Sequence, residues 1–267
     1  MSSRSQPYAP AADPLPTNAI RTDIHGLDAG EVQVPTPTGT IPAYRSVPER
    51  RGHHPIMLVV QEIFGVHEHI RDVTRRLAKL GYFAIAPELY FRQGDPRTYD
   101  SIDELRDKLV SKVPDEQVLA DLDATFEWAR QHGGDGSRLG ITGFCWGGRI
   151  TWLYAAHQPK VKAAVAWYGR LAGPKHGLQP RHPLDVAGQL KAPVLGLYGG
   201  QDPGIPLEQV EQMRAALREA NSASQVLVYP DAGHAFYADY RPSYRAEAAE
   251  DGWQRMQAWF RQHGVQP

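Results

Sequence analysis

A single sulfur sits among small residues in Gly143-Phe144-Cys145-Trp146-Gly147-Gly148, and it is the chain's one cysteine. Before it, Leu139–Thr142 reads as a short strand; after it, Arg149-Ile150-Thr151-Trp152-Leu153 reads as a helix. A G-x-C-x-G-G turn between strand and helix has the form of a nucleophile elbow, where a strained nucleophile needs small neighbours so that strand and helix can pack closely. The turn also places sulfur at a helix N-terminus, whose unpaired N–H groups favour an anion. Without that setting a lone cysteine is usually an inert buried side chain; the bracketing glycines favour the nucleophile. One cysteine excludes an intramolecular disulfide, a multi-thiolate metal cluster and a C-x-x-C redox pair.

A thiol nucleophile needs a base, and the base needs a group that fixes its tautomer. Asp202 follows the apolar run Pro193–Tyr198, and His234 follows Val226–Tyr229. The order nucleophile, acid, histidine fits an elbow of this kind. Asp231 is the competing acid, but its closeness to His234 suits it to shaping the turn. Glu62 follows the buried-strand run Ile56–Gln61, in the loop that supplies one oxyanion-hole N–H. The backbone N–H groups of Ile63 and Trp146 are therefore the expected oxyanion hole, and capping of the next helix is the plain alternative for Glu62. His67 and His69, two apart on an expected helix, do not share a face as metal ligands would. His53 and His54 read as part of a polar loop. No metal site and no cofactor are expected.

The elements that position these groups alternate. Glu31–Val34 and Thr40–Arg45 flank a Pro/Thr/Gly turn and read as a hairpin. Ile56–Gln61, Tyr82–Ala86, Leu139–Thr142, Ala163–Tyr168, Pro193–Tyr198 and Val226–Tyr229 are strand runs. Between them Ile70, Val73 and Leu77, then Val118, Leu122 and Phe126, then Val210, Met213 and Leu217 recur at helical spacing, and Trp253, Met256 and Phe260 mark a last helix. This is an α/β pattern: a mostly parallel central sheet flanked by helices, with ligands beyond the carboxyl ends of the strands. Residues 1–28 read as an extended N-terminal arm and 29–267 as a single domain. Nothing between Phe91 and Lys112 is long enough for a large cap.

The 29 basic and 30 acidic residues give a net charge of -1, without the basic excess that nucleic acid would call for. There is no apolar run of membrane-spanning length and no leader-like N-terminus. A cytoplasmic enzyme acting on a small molecule is expected, with no nucleic-acid or membrane partner.

Five motifs in order, QEIFG at Gln61–Gly65, APELYFRQ at Ala86–Gln93, GFCWGG at Gly143–Gly148, YGGQD at Tyr198–Asp202 and AGHAF at Ala232–Phe236, resemble the dienelactone hydrolase (carboxymethylenebutenolidase) family of α/β-hydrolases. The resemblance runs from about residue 30 to the C-terminus. It implies a Cys145–His234–Asp202 triad opening enol-lactones or activated esters through a thioester acyl-enzyme, with Glu62 as a thiol partner that holds the sulfur until substrate arrives. Arg92 matches an arginine that the family sets against the substrate carboxylate, and Tyr90 and Phe236 are the other expected substrate contacts. The family's second such arginine is replaced by Ala238, with Arg241 the nearest substitute. Losing a charge-assisted contact costs about 1.5–3 kcal/mol, so a neutral substrate, as for a general carboxylesterase or thioesterase, stands as the alternative. A catalytically silent binding or redox-sensing module is a second.

Overall fold

The computed structural model describes residues 19–50 and 52–267. All seven residues of β3 (His54–Val60) are buried. A strand apolar on both sides needs neighbours in the sheet and layers above and below it. Those neighbours are β4 (Phe83–Pro87) and β5 (Gly134–Phe144), both parallel to β3. The sheet continues through β6 (Val161–Trp167), β7 (Val194–Gly199) and β8 (Gln225–Tyr229), all parallel. At the other edge the hairpin β1 (Leu27–Thr36) and β2 (Gly39–Pro48) runs antiparallel, with β2 against β4. The eight-stranded order is β1-β2-β4-β3-β5-β6-β7-β8.

Helix α1 (Glu68–Lys79) connects β3 to β4, moving toward the hairpin. The later crossovers move the other way. They carry α2 (Ile102–Lys108) and α3 (Asp115–Gln131) before β5, α4 (Trp146–His157) before β6, the short α5 (Pro183–Val186) before β7, and α6 (Leu207–Glu219) before β8. Right-handed crossovers thus place α1 on one face and α3, α4 and α6 on the opposite one. Helix α7 (Ala246–Gln262) packs across β6 and β7. This is the α/β-hydrolase arrangement, and among the described residues no insertion forms a separate cap. No helix among them is long and apolar enough to cross a membrane.

Several boundaries differ from the sequence reading. β1 begins at Leu27, so the last two residues of the expected arm already pair with β2; residues 1–18 lie outside the described residues. Residues 19–26 run along α1: the Thr22 N–H donates to Asp72, and Arg75 Nε donates to the Thr22 carbonyl. β5 starts at Gly134, five residues early, because its polar beginning pairs with His54 and Pro55 across a register shift. His54 is not in a polar loop; it is buried at the head of β3, its Nδ1 3.0 Å from the Gly81 carbonyl.

Candidate active site

Cys145 follows β5 and caps α4 with φ 56° and ψ −114°. An L-residue reaches that region only at some cost in strain, so its surroundings must hold it there. Its N–H donates to the Trp167 carbonyl at 3.0 Å, and its carbonyl accepts from Gly148 and Arg149. The glycines permit the close approach: a Cβ on Gly147 would stand 2.4 Å from the Gln61 carbonyl oxygen, and one on Gly143 2.3 Å from the Gly147 carbonyl oxygen. Arg149 ties the first turn of α4 to the start of α3 through two 2.7 Å hydrogen bonds to Asp115, both groups buried.

Asp202 and His234 come from the loops after β7 and β8. One Asp202 oxygen accepts the Gly204 N–H at 2.8 Å, which leaves the other for His234 Nδ1 at 2.6 Å. His234 Nε2 lies 3.2 Å from Cys145 Sγ. The imidazole ring is braced edge-on by Tyr168, centroids 5.3 Å apart. Burial works against an imidazolium here, but the Cys145 sulfur and the Asp202 carboxylate outweigh it and push His234 up to about 10. Asp231 is exposed, away from this chain of contacts. Neither Ile63 nor Trp146 donates its N–H to another described residue. Both N–H groups are therefore uncommitted within the described residues, as donors to a ligand oxygen must be.

Glu62 is fully buried after β3, but the thiol is not its partner. Its Oε2 accepts from the Tyr240 hydroxyl at 2.5 Å and from His67 Nε2 at 3.2 Å. Burial alone would raise this carboxyl; the His67 and Tyr240 donors more than compensate and hold it below the usual range. His67 precedes α1 as its N-cap, so the helical-spacing argument did not apply to it. Both His67 and His69 are buried, with rings stacked 6.0 Å apart. His69 Nδ1 meets Asp239 at 2.9 Å, and Arg76 holds the other Asp239 oxygen at 2.6 Å. Sequence reasoning weighed these two histidines only as metal ligands and did not consider Tyr240. The one available signal was the placement of three aromatic or imidazole groups next to loops already implicated. Among the described residues no cluster suited to a metal ion is present.

The expected substrate contacts are placed differently. Arg92 is not left for an anion: its guanidinium makes hydrogen bonds of 2.7 and 2.9 Å to the buried Asp121 and one of 2.5 Å to Thr36. Asp121, nearly two turns into α3, supplies the countercharge that a substrate was expected to bring. Phe236 is wholly buried against Tyr168, Trp167 and Tyr229, supporting the wall behind His234 rather than facing an opening. Tyr90 is also fully buried, its ring 4.8 Å from that of Trp146. Arg241 lies over the Phe64 ring at 5.8 Å.

The sequence profile of the Dienelactone hydrolase family matches residues 41–264. The chain belongs to that family. It is 62% identical over 260 residues to a Methylorubrum extorquens protein named "Putative carboxymethylenebutenolidase", covering 97% of this chain and 89% of that protein. The Escherichia coli K12 protein of the same name is 60% identical over 258 residues, covering 96% of this chain and 95% of that one. A crystal structure titled as a "Putative Dienelactone Hydrolase" from Klebsiella pneumoniae superposes with a TM-score of 0.87 at 63% identity, covering 88% of this chain and 99% of that one. This dienelactone hydrolase relative is therefore a carboxylic ester hydrolase by class.

Proposed function

We propose that this hydrolase opens enol-lactones or similarly activated esters through a Cys145–His234–Asp202 triad and a thioester acyl-enzyme. The observation that carries the reading is the unbroken path from Sγ to Nε2 at 3.2 Å and from Nδ1 to Asp202 at 2.6 Å. Cys145 attacks the carbonyl as thiolate, and the Ile63 and Trp146 N–H groups receive the oxyanion; one such donor is worth about 2.7–4 kcal/mol. His234 gives its proton to the departing enolate, then takes one from the water that hydrolyses the thioester. Asp202 keeps Nδ1 protonated throughout.

Sulfur as nucleophile restricts the substrate. A thiolate leaves more readily than an alkoxide, so the tetrahedral adduct of a simple alkyl ester collapses back to reactants. Enol, aryl and thiol leaving groups avoid that return. A 31%-identical Bradyrhizobium relative, named "Probable 2-oxo-3-(5-oxofuran-2-ylidene)propanoate lactonase", supports the lactone class. A neutral substrate is the second reading, favoured by the Arg92–Asp121 pair and by Ala238 at the family's second arginine position. A thiol nucleophile also fits a reducing compartment such as the cytoplasm.

The test is a panel of enol-lactones, aryl esters, thioesters and ethyl acetate, with carboxylated and neutral members, on wild type and Cys145→Ala. Activated substrates should be turned over by wild type alone and ethyl acetate barely. Equal kcat/KM for ethyl acetate and an enol-lactone would overturn the reading.

A further inference from the structure

The structure assigns to His67 and Tyr240 a positioning role: they hold the Glu62 carboxylate so that the Cys145 thiol stays with His234 before substrate arrives. The inference rests on Cys145 being the nucleophile and concerns how that nucleophile is kept ready.

Glu62 is adjacent to the elbow. Gly147 presses against the carbonyl of the preceding residue, Gln61, at a distance no Cβ would tolerate. The buried Tyr168 hydroxyl, raised chiefly by burial, also feels the charge of both Glu62 and Cys145. A carboxylate in so dry a place takes any donor within reach, because an unpaired buried charge is costly. The Cys145 S–H, on the elbow that packs against the Gln61 carbonyl, is the donor in question.

Two other donors already hold it through one of its oxygens. Tyr240 and His67 both meet Oε2, while Oε1 has no partner among the described residues. Burial pulls the His67 imidazole down, toward its neutral form. A carboxylate oxygen can only accept, so the neutral ring carries its proton on Nε2. His67 Nδ1 has no partner, as this tautomer allows. The ring cannot easily turn away: Tyr240 packs on it at 5.0 Å, His69 stacks beside it, and His69 is fixed in turn by Asp239. The contact that results is the one observed, with sulfur on His234 and the carboxylate on Tyr240.

The experiment is iodoacetamide alkylation of Cys145 at pH 7 without substrate, in which the thiolate displaces iodide, followed by intact mass and residual turnover. Wild type should be alkylated fully and lose turnover. Tyr240→Phe should react roughly tenfold more slowly, the effect of one hydrogen bond to a charged group, because the loosened carboxylate now accepts a hydrogen bond from the S–H and holds the sulfur as neutral thiol, away from His234. His67→Ala should slow similarly, and His67→Gln, which keeps an N–H donor near the Nε2 position, should recover most of the rate. In a Glu62→Gln background the Tyr240→Phe step should change the rate by no more than about twofold, since residues acting through Glu62 have nothing left to act on. A Tyr240→Phe rate equal to wild type, or an undiminished effect in the Glu62→Gln background, overturns the positioning role alone. Turnover that survives complete alkylation overturns the nucleophile reading and this inference with it.

Discussion

The Arg92 guanidinium is clamped in two places by the carboxylate of Asp121, at 2.7 and 2.9 Å, with Asp121 almost wholly shielded from water. The motif suggests a substrate contact; the pairing makes the residue a brace between the loop after β4 and helix α3. Removing one partner of a shielded pair leaves the other charge unmatched and costs about 3 kcal/mol. Arg92→Ala should therefore lower stability in urea unfolding by about that amount, and Arg92→Met with Asp121→Leu should recover much of it. The ratio of kcat/KM for carboxylated and neutral esters should stay the same in Arg92→Ala. A selective loss for carboxylated esters would return Arg92 to substrate binding.

The His234 imidazole, pushed up to about 10, sets an alkaline limit. Its raised value contributes stability that is complete below about pH 6.5, the unfolded value, and is lost as pH rises through about 10. Loss of that proton also removes the acid that protonates the leaving group. kcat/KM for an enol-lactone should fall above about pH 10, with an apparent pKa belonging to the Cys145–His234 pair rather than to either residue. A pH–rate profile checks this, and a descending limb near pH 7 would contradict it.

Asp239 titrates in the opposite sense. Burial would raise it, but His69 and Arg76 hold it down at about 2. The depressed value contributes stability present above about pH 4 and lost as pH falls through about 2. Asp239→Asn should cost about 2 kcal/mol at neutral pH, and the gap to wild type should narrow in acid. Urea unfolding at pH 7 and pH 3 measures both; a gap that widens in acid would reject the assignment.

Much of the arrangement was legible because its signals are local. The run of β3, the elbow around Cys145, and Asp202 and His234 just beyond β7 and β8 could all be read from short windows, and chain order paired them. The unread part is long-range or lacks pattern. Glu62 meets Tyr240 178 residues away, and His69 meets Asp239 170 residues away; no spacing rule links such positions. Arg92 looked available because its partner lies on α3, 29 residues on. α2 went unseen because Leu105 is its one buried residue, too little for an apolar stripe. The early start of β5 is polar and is a strand only by virtue of its pairing with β3.

The most direct measurement is intact-protein and peptide mass spectrometry after rapid acid quench of a slowly hydrolysed aryl or enol ester. A thioester adduct should appear on the peptide containing Cys145, form and decay at rates compatible with turnover, and be missing in Cys145→Ala, which should be inactive. An adduct on another residue, or Cys145→Ala turning over at the wild-type rate, would contradict the account.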